Sequence, residues 1–342
     1  MGMTALDEAY EQLHATGPEW GGNLSNHGPM AAEVLSRRGH AAEVPRWVNA
    51  YVRRLDELPA PREAISDTNW QSALGDGARI GDWTAYLVRQ VGEQPWQDVL
   101  LTWWPRLLPG IAAGATHGVI RTGHAVRTLS SGDTSDAAVA ELGYALGYWA
   151  ARSTTVPGVL PPSGKLDPGR ALAGVPHLAD QTGPIAGRLA RLGGLTGWPE
   201  SVAALSGVAD AADARTRLVE LVDAATLRYL SHGYGSPVLL VHTATAPNAV
   251  LHVLPVLPPE MWAPSLAAVW AASAAITSGY APAAARDEHT PAPAGPHDVV
   301  EQAVAHGDEH VIKFADTAVE VFERTGNPDA LAAAAHAREI IR

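Results

Sequence analysis

Apolar positions recur along most of the 342 residues at helical rather than alternating spacing, so most segments predict helix. Residues 4–15 make a short amphipathic start, and a turn-rich stretch follows from Gly17–Pro18 to Gly28–Pro29. Pro29 suits a first helical position and opens a helix to about Arg38. Helical spacing returns over 47–55, 83–91 and 137–151. It also runs over 96–125, where Pro105 and Pro109 are expected to break it. Residues 153–200 are rich in Pro and Gly with few long periodic runs, and read as an extended surface connection or a lid.

No charged residue occurs from Tyr229 to Pro259, nor from Met261 to Ala285. The second stretch is long enough to span a bilayer, but it is mostly Ala and Ser, with Pro264 and Pro282 near its ends. A buried helix is the better reading, and 229–285 is expected at the centre of the protein. Strand signals are confined to 238–241 and 250–256. Residues 287–297 read as a loop. Asp298 and Glu301 form a capping-box pattern for a helix over 299–324, which Gly326 stops, and Asn327–Pro328 caps a last helix within 326–342. No internal repeat is visible. The expectation is a mostly α, single-domain helical fold covering 1–342.

Composition removes several functions. Hydrophobic residues make 46% and charged residues 18% of the chain, ample for a large core. With 24 Lys+Arg against 36 Asp+Glu the net charge is −12, which repels nucleic acid and anionic lipid, so neither nucleic acid nor a membrane is expected as a partner. No cysteine is present, which excludes disulfides, thiolate metal sites and cysteine nucleophiles. The acidic start lacks the basic and apolar regions of a secretory signal, so a cytoplasmic location is expected. Lys165 and Lys313 are the only lysines in an arginine-rich background. Arginine cannot replace an amine in nucleophilic or carbamate chemistry, so the surroundings of each matter.

Fourteen histidines are present. His310 and Lys313, three residues apart, are neighbours on one helical face, with His306 expected on the same side. Val311, Phe314, Ala315 and Ala318 turn that face toward a core. A lysine buried there would have its pKa pushed down, and its neutral amine could act as a base, form a Schiff base or take up CO2 as a carbamate. The alternative is a lysine that reaches solvent or pairs with Asp316 or Glu309. His117, Arg121 and His124 share a second face, and Gly118 beside His117 allows close approach by another backbone. His242 sits in a charge-free run where an imidazole needs a partner or a metal; His232 and His252 are nearby. His27 precedes a helix start. There is no His-Glu-x-x-His, EF-hand loop, P-loop, Gly-x-Gly-x-x-Gly after a strand, or Gly-x-Ser-x-Gly.

Four segments taken in order carry a resemblance: Asn26–His27–Gly28–Pro29–Met30, His117–Gly118–Val119–Ile120–Arg121, Val241–His242–Thr243–Ala244–Thr245, and Asp308–Glu309–His310–Val311–Ile312–Lys313. Together they resemble the questin oxidase-like family, tailoring proteins of aromatic polyketide pathways, from about residue 20 to about residue 325. The resemblance implies a helical fold with a buried metal site, a mononuclear non-haem iron (Fe2+) held by His27, His117, His242, His310 and a carboxylated Lys313. It implies oxygenase chemistry on an anthraquinone- or anthrone-like ring, by Baeyer–Villiger-type insertion or dioxygenase ring cleavage, with O2 as co-substrate. NADPH is proposed for some members, but no dinucleotide motif supports it here.

His124, His232, His252 and His306 match the family less clearly and could support the ligands or face the substrate; of these His124, together with Lys313, is expected to take part in catalysis. Asn26, Thr243, Thr245 and Glu309 are candidate partners for the liganding imidazoles, and Trp83, Trp103, Trp104 and Trp149 candidates for an aromatic pocket. Imidazole suits Fe, Cu, Zn and Ni alike, so the residues alone do not choose the metal. Two other functions stay open: a metal-dependent hydrolase or lyase using the same His/carbamate site, and a helical ligand-binding protein without catalysis. A homo-oligomer is compatible with either.

Overall fold

A computed structural model describes residues 3–22, 24–286 and 290–342. The protein is mostly helical. Its backbone clusters into two compact units, Met1–Thr155 and Val156–Arg342. Each unit has buried apolar residues of its own.

In the first unit, α1 (Ala5–His14) opens with a capping box: the Thr4 hydroxyl accepts from the Asp7 N–H and the Asp7 carboxylate accepts from the Thr4 N–H. The turn-rich stretch folds as an antiparallel pair, β1 (Glu19–Trp20) and β2 (Leu24–Ser25), before α2 (Gly28–Arg37). Then come α3 (Val44–Tyr51), α4 (Trp70–Ala73), α5 (Ile80–Glu93), α6 (Trp96–Leu107), α7 (His117–Ser130) and α8 (Asp136–Ala151). Pro105 does not break α6, contrary to expectation. The bond it cannot make would end on the Leu101 carbonyl, and both residues lie on the exposed side of the helix, where water can substitute. The break falls instead at 108–116. Helices α5 and α8 approach closely because α8 carries Gly143, where a Cβ would sit 2.7 Å from the Val88 Cα.

Trp83, Trp103, Trp104 and Trp149 do not line an open pocket. All four are buried: Trp103 meets Trp83 edge-on at 5.4 Å, and Trp104 meets Trp149 at 5.3 Å. The indole N–H of Trp83 donates to the Ala73 carbonyl and that of Trp149 to the Gly110 carbonyl. These rings belong to the unit's core, with the polar atoms of Trp83 and Trp149 satisfied.

Residues 153–200, nearly all in the second unit, contain α9 (Pro168–Ala173), α10 (Ile185–Leu192) and the first half of the short α11 (Trp198–Ala203), so the stretch is only partly extended. The following elements are α12 (Ala211–His232), α13 (Pro237–Leu240), α14 (His242–Val253) and α15 (Trp262–Tyr280). Neither expected strand forms: 238–241 lies in and just after α13, and 250–256 finishes α14 and a 3-10 turn. A short apolar run fits a buried helix as well as a strand, and here the buried helix wins. Pro237–Val256 is long and apolar enough to cross a membrane, yet most of it is buried.

The expected helix over 299–324 is two helices, α16 (Pro296–His306) and α17 (Glu309–Thr325). Gly307 ends α16 with φ 81°, a conformation glycine adopts without strain, and the Asp308 carboxylate then caps α17 by accepting from the N–H groups of His310 and Val311. The Asp298–Glu301 capping box does not form: Gly295 is the N-cap and Asp298 lies inside the first turn. Of the expected loop at 287–297, residues 287–289 lie outside the described residues, and Pro296 already belongs to α16. Gly326 stops α17, and Asn327 caps α18 (Pro328–Ile340).

Candidate metal-binding histidines

In the first unit His27 caps α2 and His117 begins α7; both are buried, their rings edge to face with centroids 4.3 Å apart. The backbone N–H of His27 donates to the Tyr51 hydroxyl at 2.7 Å. Asn26 braces the turn rather than an imidazole: its Oδ1 accepts from the Gly28 N–H at 2.9 Å and its Nδ2 donates to the Gly17 carbonyl. The ring Nδ1 of His117 meets the Gly114 carbonyl. A carbonyl can only accept, so Nδ1 carries the proton and the lone pair is on Nε2.

The face shared by His117, Arg121 and His124 exists on α7, and it meets carboxylates that the sequence analysis did not single out. Arg121 forms two bonds to Glu141, at 2.6 and 2.7 Å, and the same carboxylate meets His14 Nε2 at 2.7 Å. His124 Nδ1 lies 2.8 Å from Glu33 Oε2, and Arg127 also clasps Glu33. Burial alone would raise the Glu33 pKa, but Arg127 and His124 outweigh it and hold the carboxyl at about 2. Glu141, likewise buried, is lowered by Arg121 and His14. The available signal was a lone acid inside an apolar helical run, Met30 to Leu35 for Glu33 and Val139 to Trp149 for Glu141. Such an acid must find a cation.

In the second unit His242 begins α14 and His310 sits in the first turn of α17; both are buried, with ring centroids 5.9 Å apart. Lys313 follows one turn after His310 at 1% exposure. Neither alternative from the sequence is realised for it. It does not reach solvent, and among the described residues its Nζ has no hydrogen-bond partner. Burial lowers its pKa to about 7, against the opposing pull of the Glu309 and Asp308 charges. Burial also lowers His310, whose Nδ1 lies 3.4 Å from Asp308 Oδ1. Asp308, Glu309 and His310 bring one potential ligand atom each within 4.8 Å of one another.

The other candidates are occupied elsewhere. His306 ends α16 and is exposed; Gly307 and Asp308 part it from the helix of His310, so the two do not share a face. His232 meets the Ser231 hydroxyl, and burial, with Arg228 adding to it, lowers its pKa to about 4. His252 and Asn248 both bond Glu320, at 2.9 and 2.7 Å. The Thr243 hydroxyl donates to the Leu240 carbonyl rather than to a ring, and the buried Thr245 hydroxyl has no hydrogen-bond partner among the described residues.

The donor types fit a divalent transition metal. Four imidazoles are buried in pairs, one with its tautomer fixed by a carbonyl, and a buried amine with no hydrogen-bond partner among the described residues follows one of them by a helical turn. No family model matches the chain, and no curated protein matches it.

Proposed function

We propose that this protein is a non-haem, iron-dependent oxygenase that cleaves, or inserts oxygen into, a ring of an anthraquinone- or anthrone-like aromatic polyketide. In this reading His27, His117, His242, His310 and a carboxylated Lys313 hold one ion. The observation that carries it is Lys313, an amine buried to 1% exposure with no hydrogen-bond partner for Nζ among the described residues, one helical turn from His310. An ammonium ion in that place is costly, whereas a neutral amine is a nucleophile. Its lone pair adds to the carbon of CO2, an N–C bond forms, the displaced electron pair goes to oxygen, and the nitrogen gives up a proton to solvent. The product is an anionic oxygen donor at the end of a long side chain.

Held by these residues, an iron ion would supply the one-electron chemistry with O2 that a spin-paired ring undergoes only slowly. One carbamate and four neutral imidazoles around Fe2+ would leave a net charge near +1, which would favour a phenolate substrate close by. The Gly114 carbonyl keeps His117 in the Nε2-donating tautomer, and Asp308 fixes the start of the helix bearing His310 and Lys313.

The test is Lys313→Arg, which retains a cation but cannot be carboxylated. Metal content by elemental analysis and O2 uptake with an anthrone should both be lost, while the wild-type protein carries about one iron per chain. A variant with full metal and activity would reject the carbamate. Wild-type protein that holds zinc and consumes no oxygen would favour a hydrolase or lyase at the same residues.

A further inference from the structure

Immediately before His117 the chain runs through three successive left-handed residues: Gly114 at φ 52°, Ala115 at 59° and Thr116 at 73°. Only the first is a glycine. Ala115 and Thr116 are the non-glycine residues with positive φ among those described. Alanine and β-branched threonine both resist this region because Cβ crowds the backbone, so the segment holds strain. The surrounding structure must enforce it.

That enforcement comes from two adjacent aromatic residues near the end of α8. Gly114 lies against the Tyr148 hydroxyl, where any Cβ would collide. Gly118 lies against Trp149, 2.7 Å from the Trp149 Cβ to the place a Cβ would occupy, and the Trp149 indole donates to the Gly110 carbonyl. The turn is therefore clamped on both sides. Tyr148 does a second thing: its hydroxyl is hydrogen-bonded to the Ser25 hydroxyl at 2.5 Å, two residues before His27. One buried phenol thus touches the chain leading into each histidine of the pair. The left-handed run also turns the Gly114 carbonyl back over its own helix start, onto His117 Nδ1.

We infer that the strained turn 114–116, seated on Tyr148, presets the spacing of His27 and His117 and the tautomer of His117 before any ion binds. Ala115, Thr116 and Tyr148 are positioning residues. The inference rests on the metal-binding reading above and adds to it a device that sacrifices stability for a ready-made half-site. A turn selected for stability alone would carry glycine or asparagine at 115 and 116.

Ala115→Gly tests this, since it removes a single methyl group and the backbone strain together. Melting of metal-free protein, followed by circular dichroism, should move up by about 2–4 °C. Affinity for Co2+, read from its visible absorption during titration, should fall about tenfold because the histidine is no longer held. Tyr148→Phe keeps the ring but loses the bond to Ser25; it should weaken Co2+ binding by a similar factor without any gain in melting temperature. Ala115→Gly that melts lower than wild type, or binds Co2+ as tightly, overturns the inference. Tyr148→Phe with unchanged affinity removes Tyr148 from it. Wild-type protein that binds no Co2+ or iron overturns the proposed function itself, a distinct outcome read before any variant is made.

Discussion

Replacing Lys313 by methionine should stabilise the metal-free protein, an unusual outcome for a buried position. Methionine has nearly the length of the lysine stem and no charge to desolvate. The folded amine titrates at about 7 against an ordinary value of 10.5. That gap corresponds to about 5 kcal/mol of disfavour toward the protonated, folded form at low pH. The sign follows from proton counts. Between pH 7 and 10.5 the unfolded chain keeps the proton that the folded chain has released, so raising the pH favours folding. The slope from this one group reaches about 1.4 kcal/mol per pH unit. Urea unfolding in CO2-free, chelator-treated buffer, from pH 7 to about 9.5, reads it below the range where ordinary tyrosines ionise. Wild-type stability should climb steeply over that window and Lys313→Met should flatten the climb, with the variant the more stable of the two at pH 7. An equal slope in both proteins, or a variant less stable at pH 7, would refute the account of Lys313 as a buried amine with no hydrogen-bond partner among the described residues.

Two further outcomes concern the first unit. Glu33, held at about 2 against an ordinary 4.5, contributes about 3 kcal/mol above pH 4.5 that is lost as the pH falls toward 2. Glu33→Gln should therefore be clearly less stable than wild type at pH 7, with the gap shrinking in acid unfolding curves; a pH-independent gap would contradict this. Gly118→Ala should cost about 1–3 kcal/mol, because the new methyl would stand 2.7 Å from the Trp149 Cβ and Cγ. A melting temperature equal to wild type would show that α7 and α8 can part more easily than their packing indicates.

Helices were the most legible part of the chain. Apolar spacing found α1, α5 and α8 to within a few residues, since periodicity depends on the local face alone, and Pro29 and Asn327–Pro328 marked the starts of α2 and the final helix. Reading failed where tertiary surroundings decided. The Val- and Leu-rich runs at 238–241 and 250–256 match strand statistics, but among the described residues no strand pairs with them. Gly307 was read through as helix because one glycine costs a helix little, although its left-handed φ makes it a stop. At the candidate site, sequence brought His310 beside Lys313 because three residues make one turn. The pairing of His27 with His117 spans ninety positions, and only resemblance brought them together. The carboxylates Glu33 and Glu141 were missed because an acid in an apolar run announces a need for a cation without saying which one.

The break at Gly307 has an electrical consequence. By ending one helix and starting another, it gives His310 and Lys313 a fresh amino-terminal end, whose first peptide N–H groups, on His310 and Val311, are taken by the Asp308 carboxylate. Side chains on a helix lean back toward that end, so the Lys313 amine is drawn over the first turn. The helix dipole there opposes a cation while the Asp308 and Glu309 carboxylates favour one, and burial decides between them by disfavouring the ammonium form. A single continuous helix over 299–324 would have left the same lysine mid-cylinder, away from any helix end and from the Asp308 cap.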